Sequence, residues 1–380
     1  MNGFSELDTQ RLLMLVKAAL YNFVPDRNLF FHATDAEWQT LFKQSVEQGV
    51  MVLTFQGVLR LPKALHPPHA LKIRWIASVE SVEKRYRHQF DTARQLAACF
   101  EENNIRMLLF KGLSLARYYP IPDSREFGDI DIFLFGKAKE GDALLERLTD
   151  KNKVYSKKHA TFDYRDLLIE HHHSFLNHGI ASGFRRSDSL EKRLWSALET
   201  KGLGDNRPVS AIAMQAENTL LFPPSAFDLL FIMLHTLAHL SSSIVLRFLC
   251  DITVFFTTHK GKLDFTSYTD ALSEAGLQKS ADALISLSVR YLGLNPNDAP
   301  PYKPDGALED RIWSDMMNPA MTPPKKGKRA LLKVCMYKLR LFRSNRWKYE
   351  LVFPGKYWKK VFYSVLFHIR HPAMISKLKD

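Results

Sequence analysis

The chain has 380 residues, of which 46% are apolar, so it can bury a sizeable core in two or more subdomains. Its three cysteines are scattered through helix-like apolar stretches, which argues against a disulfide framework or a cysteine zinc cluster and predicts a reducing, cytoplasmic location. The N-terminus lacks the basic-then-apolar pattern of a signal peptide. No run reaches the roughly 18 uncharged apolar residues of a membrane span.

The net charge of +13 is concentrated at the C-terminal end. Residues 324–380, the basic tail, contain 16 Lys and Arg against two acidic residues, whereas the rest of the chain has a balance of −1. A near-neutral body argues against a protein that coats nucleic acid along its whole length. Binding to a polyanion is therefore expected to involve the tail.

Residues 1–104 are predicted to form a helical region. Apolar residues recur there at helical spacing and are expected to pack into the core. The second helix begins with a capping box, in which Thr34 is the N-cap and Glu37 the reciprocal partner. The four predicted helices cover 6–24, 34–48, 53–61 and 70–103.

The stretch from 105 to 135 has the clearest chemical meaning. It predicts a buried strand over 106–110, a turn, a short helix over 113–119, and a second strand that opens at Gly128. Backbone N–H groups and the helix dipole at Gly112 could receive phosphate, and Lys111 and Ser114 could add donors. Any tight turn can use a glycine, so Gly112 supports a phosphate site only in combination with the acidic residues of the second strand.

Two aspartates, Asp129 and Asp131, alternate with isoleucines on that second strand. Side chains two residues apart point the same way, so both carboxylates are expected on one face. Adjacent like charges are costly unless a cation neutralises them, and oxygen ligands suit Mg²⁺ or Mn²⁺. The alternative is an exposed strand end with two solvated aspartates. Arg125, just before the strand, could offset phosphate charge or form a surface salt bridge.

After a predicted helix over 138–150, the sequence indicates further short strands. The candidate over 167–173 contains Glu170, which is either a third carboxylate for the site or an ordinary polar residue.

Of the three adjacent histidines, only His171 and His173 could share an ion, because consecutive residues point to opposite faces. Further zinc ligands are not apparent. His172 is expected on the face of Glu170. The other strand candidates are 154–157, 161–164 and one or two within 208–221.

Here the chain resembles the nucleotidyltransferases of the DNA polymerase β-like superfamily, and within it a poorly characterised bacterial branch. The resemblance extends over about residues 40–260. The superfamily's Gly-Ser pair is interrupted here, as Gly112-Leu113-Ser114. The residues that carry the resemblance are Lys111-Gly112, Tyr119-Pro120, Arg125, Gly128-Asp129-Ile130-Asp131, Glu170-His171-His172, His235, Arg247 and Cys250-Asp251.

This resemblance implies an α+β fold, in which a small mixed β-sheet core over 105–222 lies between helical regions. It implies metal-dependent transfer of a nucleoside monophosphate from an NTP to an unknown acceptor (a small molecule, sugar, RNA or protein), with release of pyrophosphate. Asp129, Asp131 and Glu170 would be the catalytic residues and would bind Mg²⁺ or Mn²⁺. The nucleotide would contact Lys111, Gly112, Ser114, Arg125, Gly128, His172, His235 and Arg247.

A helical domain is predicted over 223–320. His235 and His239 share a helix face, and Arg247 and Asp251 repeat that spacing on the next helix. Three interpretations remain open: a metal site, a buried polar cluster in which Asp251 pairs with Arg247, or a cleft where His235 and Arg247 contact nucleotide. The metal site lacks the accompanying motifs of known hydrolases. The helices predicted with bounds cover 188–200, 225–240, 265–275 and 279–294, and a further helix carries Arg247 and Asp251.

The final region, 321–380, is predicted to contain basic, aromatic-rich helices over 329–342 and 357–370. Such a segment fits an anionic membrane surface or RNA, which would make the protein membrane-peripheral. The alternative is a helical hairpin packed on the body with solvated Lys and Arg. A non-catalytic nucleotide-binding relative, or an adaptor that acts through the tail, therefore competes with the enzyme hypothesis.

Overall fold

The computed structural model describes residues 4–149, 154–155, 159–176, 183–200, 220–318, 330–359 and 361–362. The strands are β1 (Leu108–Phe110), β2 (Asp129–Phe133), β3 (Val154–Tyr155), β4 (His159–Tyr164) and β5 (Leu167–His172). The helices are α1 (Glu6–Tyr21), α2 (Asp35–Glu47), α3 (Met51–Val58), α4 (His69–Glu102), α5 (Gly112–Ala116), α6 (Ala138–Leu148), α7 (Ser187–Thr200), α8 (Ser225–Leu240), α9 (Leu246–Thr258), α10 (Thr266–Ala275), α11 (Gln278–Leu292), α12 (Gly306–Met317) and α13 (Ala330–Val352).

The N-terminal helices follow the predicted pattern. The capping box of α2 is confirmed: the Thr34 hydroxyl accepts a hydrogen bond from the Glu37 amide, and the Glu37 carboxylate accepts one from the Thr34 amide at 2.7 Å. A second capping box, between Ser5 and Asp8, begins α1. Reciprocal capping satisfies N–H groups that a helix start otherwise leaves unpaired.

Several predicted elements differ in extent. The third helix lies at 51–58 rather than 53–61, and the first strand covers only 108–110. The predicted tail helix over 329–342 continues to residue 352, because Val352 and the following Phe353 are buried in the core. The strand predictions at 156–157 and 208–219, and the tail helix beyond 362, lie outside the described residues.

The five described strands form one mixed sheet in the order β1-β2-β5-β4-β3. The β2–β5 pair is parallel and the other three pairs are antiparallel. Leu221 adds an isolated parallel bridge to Leu108. The predicted α+β class, with a small mixed sheet between helical regions, is confirmed.

The two faces of the sheet contact different layers. Ile130, Ile132 and Ile169 pack in one hydrophobic cluster with Leu96 of α4 and Leu145 of α6. The other face carries the alternate residues of β2 and β5. There the Phe110 ring lies 5.4 Å from the Phe231 ring of α8, measured between centroids. This second face is therefore covered by helices that follow the sheet in sequence.

A larger hydrophobic cluster joins helices from both ends of the chain, including α1, α3, α8, α9 and α11. The side chain of Gln48, which follows α2, connects them through two hydrogen bonds. Its amide nitrogen donates to the Met316 carbonyl at 3.1 Å, and its oxygen accepts from the Leu246 amide at 2.8 Å.

The domain boundaries at 104, 222 and 320 stay predictions. Among the described helices, none combines the length and apolar character needed to cross a bilayer.

The α1–α3 contact provides a test of this packing. A Cβ built on Gly57 would lie 2.2 Å from the Leu15 carbonyl oxygen, and a backbone atom cannot rotate away. We expect Gly57→Ala to lower the free energy of unfolding by about 1–3 kcal/mol or more, since overpacking forces the helices apart. Urea denaturation measures this change. The control is Gly306→Ala, where no atom lies within 4 Å of the built Cβ; equal stability of the two variants would contradict the prediction.

Candidate active site

The parallel pairing of β2 and β5 brings the predicted acids together. Asp131 is the register partner of Glu170, so the two carboxylates start from neighbouring positions on one face of the sheet. Asp129 lies two residues earlier on β2 and therefore shares that face. The prediction that the two aspartates share a face, with Glu170 on a neighbouring strand, is confirmed in its geometry.

Two nitrogen-bearing side chains contact the same oxygen of Asp131. Lys111 Nζ lies 2.6 Å from Asp131 Oδ1, and His172 Nε2 lies 2.7 Å from it. His172 Nε2 is also 3.4 Å from a carboxylate oxygen of Glu170 and 3.1 Å from Lys111 Nζ. His172 thus lies on the face of Glu170, as predicted, and joins both acids in one polar network.

The pKa values of Asp131 and Asp129 shift in opposite directions in this environment. Burial would raise the pKa of Asp131, but Lys111 and His172 outweigh burial and hold that pKa well below its usual range. Burial, followed by the charges of Asp131 and Glu170, raises the pKa of Asp129 to about 6. The site therefore has more negative charge than Lys111 neutralises.

These donors fit a hard divalent cation. Ligand atoms of Asp131, Glu170 and His172 lie within 4.8 Å of one another, and Asp129 adds a further carboxylate on the same face. Carboxylate oxygens suit Mg²⁺, and an added imidazole is compatible with Mn²⁺. In this structure the Lys111 ammonium occupies the position of a cation against Asp131.

The turn that carries Lys111 is strained. Lys111 has φ 56° and ψ −121°, a conformation that costs a residue with a side chain on the order of 1–3 kcal/mol. The following Gly112 is sterically required, because a Cβ there would lie 2.7 Å from the Phe127 ring. Strain of this kind is typical of positions where a side chain must be aimed at a site.

The predicted phosphate cradle is only partly supported. Helix α5 has five residues rather than the predicted seven, so its dipole is small. Ser114 is fully buried, and its hydroxyl has no hydrogen-bond partner among the described residues. Gly128 is exposed, and no atom lies within 4 Å of a Cβ built on it. Lys111 and the open backbone at Gly128 thus remain the accessible candidates.

The surface salt bridge that was one interpretation of Arg125 is wrong, because the residue is buried. Its guanidinium is buried and forms a two-point ion pair with Asp251 of α9, at 2.7 and 2.9 Å. It also donates to the Gly112 carbonyl at 3.2 Å, and Tyr119 donates to Asp251 at 2.7 Å. Arg125 therefore connects the Lys111–Gly112 turn to the helical layer, and its contact with phosphate stays a prediction.

The expected Arg247–Asp251 pair is also wrong, because Arg125 occupies Asp251. Arg247 instead donates to the Glu126 carbonyl in the loop before β2. Its half-buried position places it beside the loop that precedes the aspartates. A role of Arg247 in nucleotide contact stays a prediction.

Helix α8 presents a row of aromatic rings next to the sheet face that carries the acids. Phe231 stacks on His235 with centroids 5.7 Å apart, and His235 contacts His239 at 4.6 Å. Burial lowers the pKa of His235, which also senses the charges of Lys111 and Asp131, and burial lowers the pKa of His239 to about 4. Among the described residues, no third ligand joins these histidines in a potential metal group. The metal interpretation is therefore unsupported, whereas His235 does lie near the acids.

Two buried aspartates have roles that sequence reasoning missed. Asp228 accepts from Tyr118 and Arg117 at 2.6 and 2.8 Å, as Asp251 does from Tyr119 and Arg125. Each aspartate interrupts a very apolar helix, and that interruption was the available signal. Together they join the segment after β1 to α8 and α9.

A separate cavity of about 370 Å³ lies between α7, α8 and α10, and no predicted site residue lines it. Arg193, Leu229 and Tyr268 are among its lining residues. The Tyr268 hydroxyl is buried without a hydrogen-bond partner among the described residues. This cavity is thus distinct from the acidic face of the sheet.

A model of one protein family, described as an uncharacterised nucleotidyltransferase, matches residues 34–293, about two thirds of the chain. Comparisons with curated proteins and with solved structures found no match. The matched range begins at the N-cap of α2 and ends just after α11, so it includes every candidate residue of the site.

The Arg125–Asp251 pair can be tested by substitution. We expect Asp251→Asn to lower the free energy of unfolding by about 3–5 kcal/mol, because it leaves the Arg125 guanidinium buried without a counter-charge. Chemical denaturation monitored by circular dichroism measures this. Asp310→Asn is the control, since the Arg290–Asp310 pair is largely exposed and worth about 0–1 kcal/mol. A loss for Asp251→Asn no larger than that of the control would contradict the role of the buried pair.

Proposed function

Because the chain belongs to the uncharacterised nucleotidyltransferase family, we propose that it transfers a nucleoside monophosphate from an NTP to an acceptor and releases pyrophosphate. The observation that supports this reaction is the pairing of Asp131 with Glu170 on one sheet face, with Asp129 beside them and Lys111 Nζ at 2.6 Å from Asp131. The acceptor would be a hydroxyl-bearing small molecule, sugar, RNA or protein.

Asp129, Asp131 and Glu170 would hold Mg²⁺ or Mn²⁺. When bound, a pair of divalent ions stabilises the attacking and leaving oxygens of an in-line displacement at phosphorus. Burial and, after it, the charges of Asp131 and Glu170 raise the pKa of Asp129, and a bound cation would offset both effects, which supports this assignment.

The protein's own groups would handle the phosphates and the proton. Lys111 would leave Asp131 and donate to phosphate oxygens of the incoming NTP. The acceptor hydroxyl would bond to the α-phosphorus and lose its proton to Glu170, while the bond to the pyrophosphate oxygen breaks. His172, at 2.7 Å from Asp131, would keep that carboxylate oriented toward the reacting groups.

The helical layer would supply the opposite wall of the site. His235 lies one turn beyond Phe231 on α8 and, with its pKa lowered, is a neutral imidazole at pH 7. We assign it, together with Arg247, to contact with the nucleotide. Gly128 would leave the backbone accessible on the sheet side, whereas the buried Gly112 and Ser114 would support the turn that carries Lys111.

The proposed metal-binding role of the two aspartates is tested by replacing both residues in one variant. We expect Asp129→Asn with Asp131→Asn to abolish transfer and Mg²⁺-dependent NTP binding while the fold is retained, since isosteric amides remove the charge alone. Incubation with α-³²P-labelled NTP, Mg²⁺ and cell extract detects a labelled acceptor, and γ-labelled NTP shows whether hydrolysis occurs instead. Asp163→Asn, at an exposed position of β4, is the control. Transfer by the double variant would contradict the metal role, and Mg²⁺-dependent binding without transfer by the wild type would indicate a non-catalytic relative.

We also propose that the basic tail attaches the protein to an anionic membrane surface from the cytoplasmic side. Leu339, Trp358 and Phe362 expose 57%, 67% and 64% of their surface, and Arg340, Arg343 and Arg346 are exposed nearby in sequence. Exposed aromatic and basic side chains together are typical of interfacial binding. Helix α13 itself packs on the body, so the surface is part of the folded protein.

Membrane attachment is tested with point variants, because removal of the whole tail would take Tyr349 and Phe353 out of the core. We expect Trp358→Ser with Phe362→Ser to abolish co-sedimentation with vesicles that contain phosphatidylglycerol, without a change in melting temperature. Vesicles of phosphatidylcholine alone are the control for charge. Retention of an RNA oligonucleotide, with no binding to either vesicle, would instead assign the tail to RNA.

A further inference from the structure

We propose that Asp142, His171 and His173 form a second metal site, on the face of β5 opposite Glu170 and His172, that binds Zn²⁺ or a similar transition-metal ion. This site does not depend on the proposed transferase activity. Its donors are two imidazoles and one carboxylate, a combination used by zinc sites with an open coordination position. It therefore has two imidazole donors, whereas the group on the opposite face has one, His172, beside Asp131 and Glu170.

The alternation of β5 separates the two sites. His171 and His173 are two residues apart at the end of the strand, and their ring centroids are 5.0 Å apart. Glu170 and His172 point to the other face, toward Asp131. The sequence pattern allowed His171 and His173 to share an ion but offered no third ligand.

Helix α6 supplies that ligand from a distance of 29 residues along the chain. One oxygen of Asp142 lies 2.7 Å from His171 Nδ1, and the other lies 3.6 Å from His173 Nε2. The three ligand atoms lie within 4.8 Å of one another. Ligands of a tetrahedral zinc ion are about 3.3 Å apart for bonds of about 2.0–2.1 Å, so small side-chain rotations would complete the set.

Two of the three proposed ligand side chains are buried, and the third is accessible to solvent. His171 is 1% exposed and Asp142 8% exposed, whereas the side chain of His173 is 30% exposed. The inner pair is thus held in place by the packing of α6 on the sheet. The outer histidine leaves a side open for entry of the ion and for a water molecule as fourth ligand.

A purely structural hydrogen bond between His171 and Asp142 would need only one carboxylate oxygen. The second oxygen, however, is directed toward His173, so the carboxylate bridges both rings. Imidazole nitrogens favour Zn²⁺ over Mg²⁺, and this group has two of them against one in the group of Asp131, Glu170 and His172. An ion here would also clamp α6 to the end of the strand that carries Glu170 and His172.

The test uses Co²⁺ as a spectroscopic substitute for Zn²⁺ in the full-length, untagged protein after treatment with a chelator. We expect one equivalent of Co²⁺ to produce a visible absorption band of low-symmetry coordination, and Zn²⁺ to remove that band by displacement. His173→Ala, at an accessible position, should weaken Co²⁺ binding at least about tenfold, since loss of even an outer-shell partner costs that much. Zn²⁺ should raise the melting temperature of the wild type but not of this variant.

The Asp129→Asn, Asp131→Asn double variant is the matched control, because it removes the other cluster and should keep the Co²⁺ band. Circular dichroism of His173→Ala verifies that the fold is retained. A wild-type protein with no Co²⁺ band would overturn the proposal, as would a band that persists in His173→Ala or disappears in the double variant. These outcomes leave the transferase proposal unaffected, since its readout is labelled product.

Discussion

The parallel pairing of β2 with β5 is the constraint on which the candidate site depends. It places Asp131 beside Glu170 and Phe133 beside His172, so that three acids and a histidine share one face of a narrow sheet. Such a concentration of negative charge is unfavourable without a cation, and Lys111 supplies one from a strained turn. The strain and the ion pair are consistent with a site whose geometry is maintained for binding rather than for stability.

Strand β5 contributes side chains to both faces of the sheet, because successive side chains of a strand point to opposite faces. Glu170 and His172 face the candidate site with Asp131, and His171 with His173 faces α6 and Asp142. A change in the position of β5 would therefore move both sets of side chains together. Helix α6 and α8 lie on opposite sides of this strand, so the packing of either helix affects the orientation of the acids.

Buried ion pairs join the sheet to its helical cover. Arg125 and Asp251 connect the loop before β2 to α9, and Arg117 and Asp228 connect the segment after α5 to α8. Burying charge is costly unless the partner is well placed, so these pairs specify one arrangement of the two layers.

Local chemistry was sufficient to predict the helical regions, the shared face of Asp129 and Asp131, and the shared face of Glu170 and His172, because strand periodicity and capping act over a few residues. The α+β class and the addition of Glu170 to the two aspartates were implied by the family resemblance. The partner of Arg125, the enclosure of Ser114 and the approach of Asp142 to His171 could not be predicted in that way. Each depends on a contact between residues distant in sequence, such as the 126 positions that separate Arg125 from Asp251. Only the packing of helices on the sheet selects those partners, since periodicity assigns a side chain to a face but not to a neighbour.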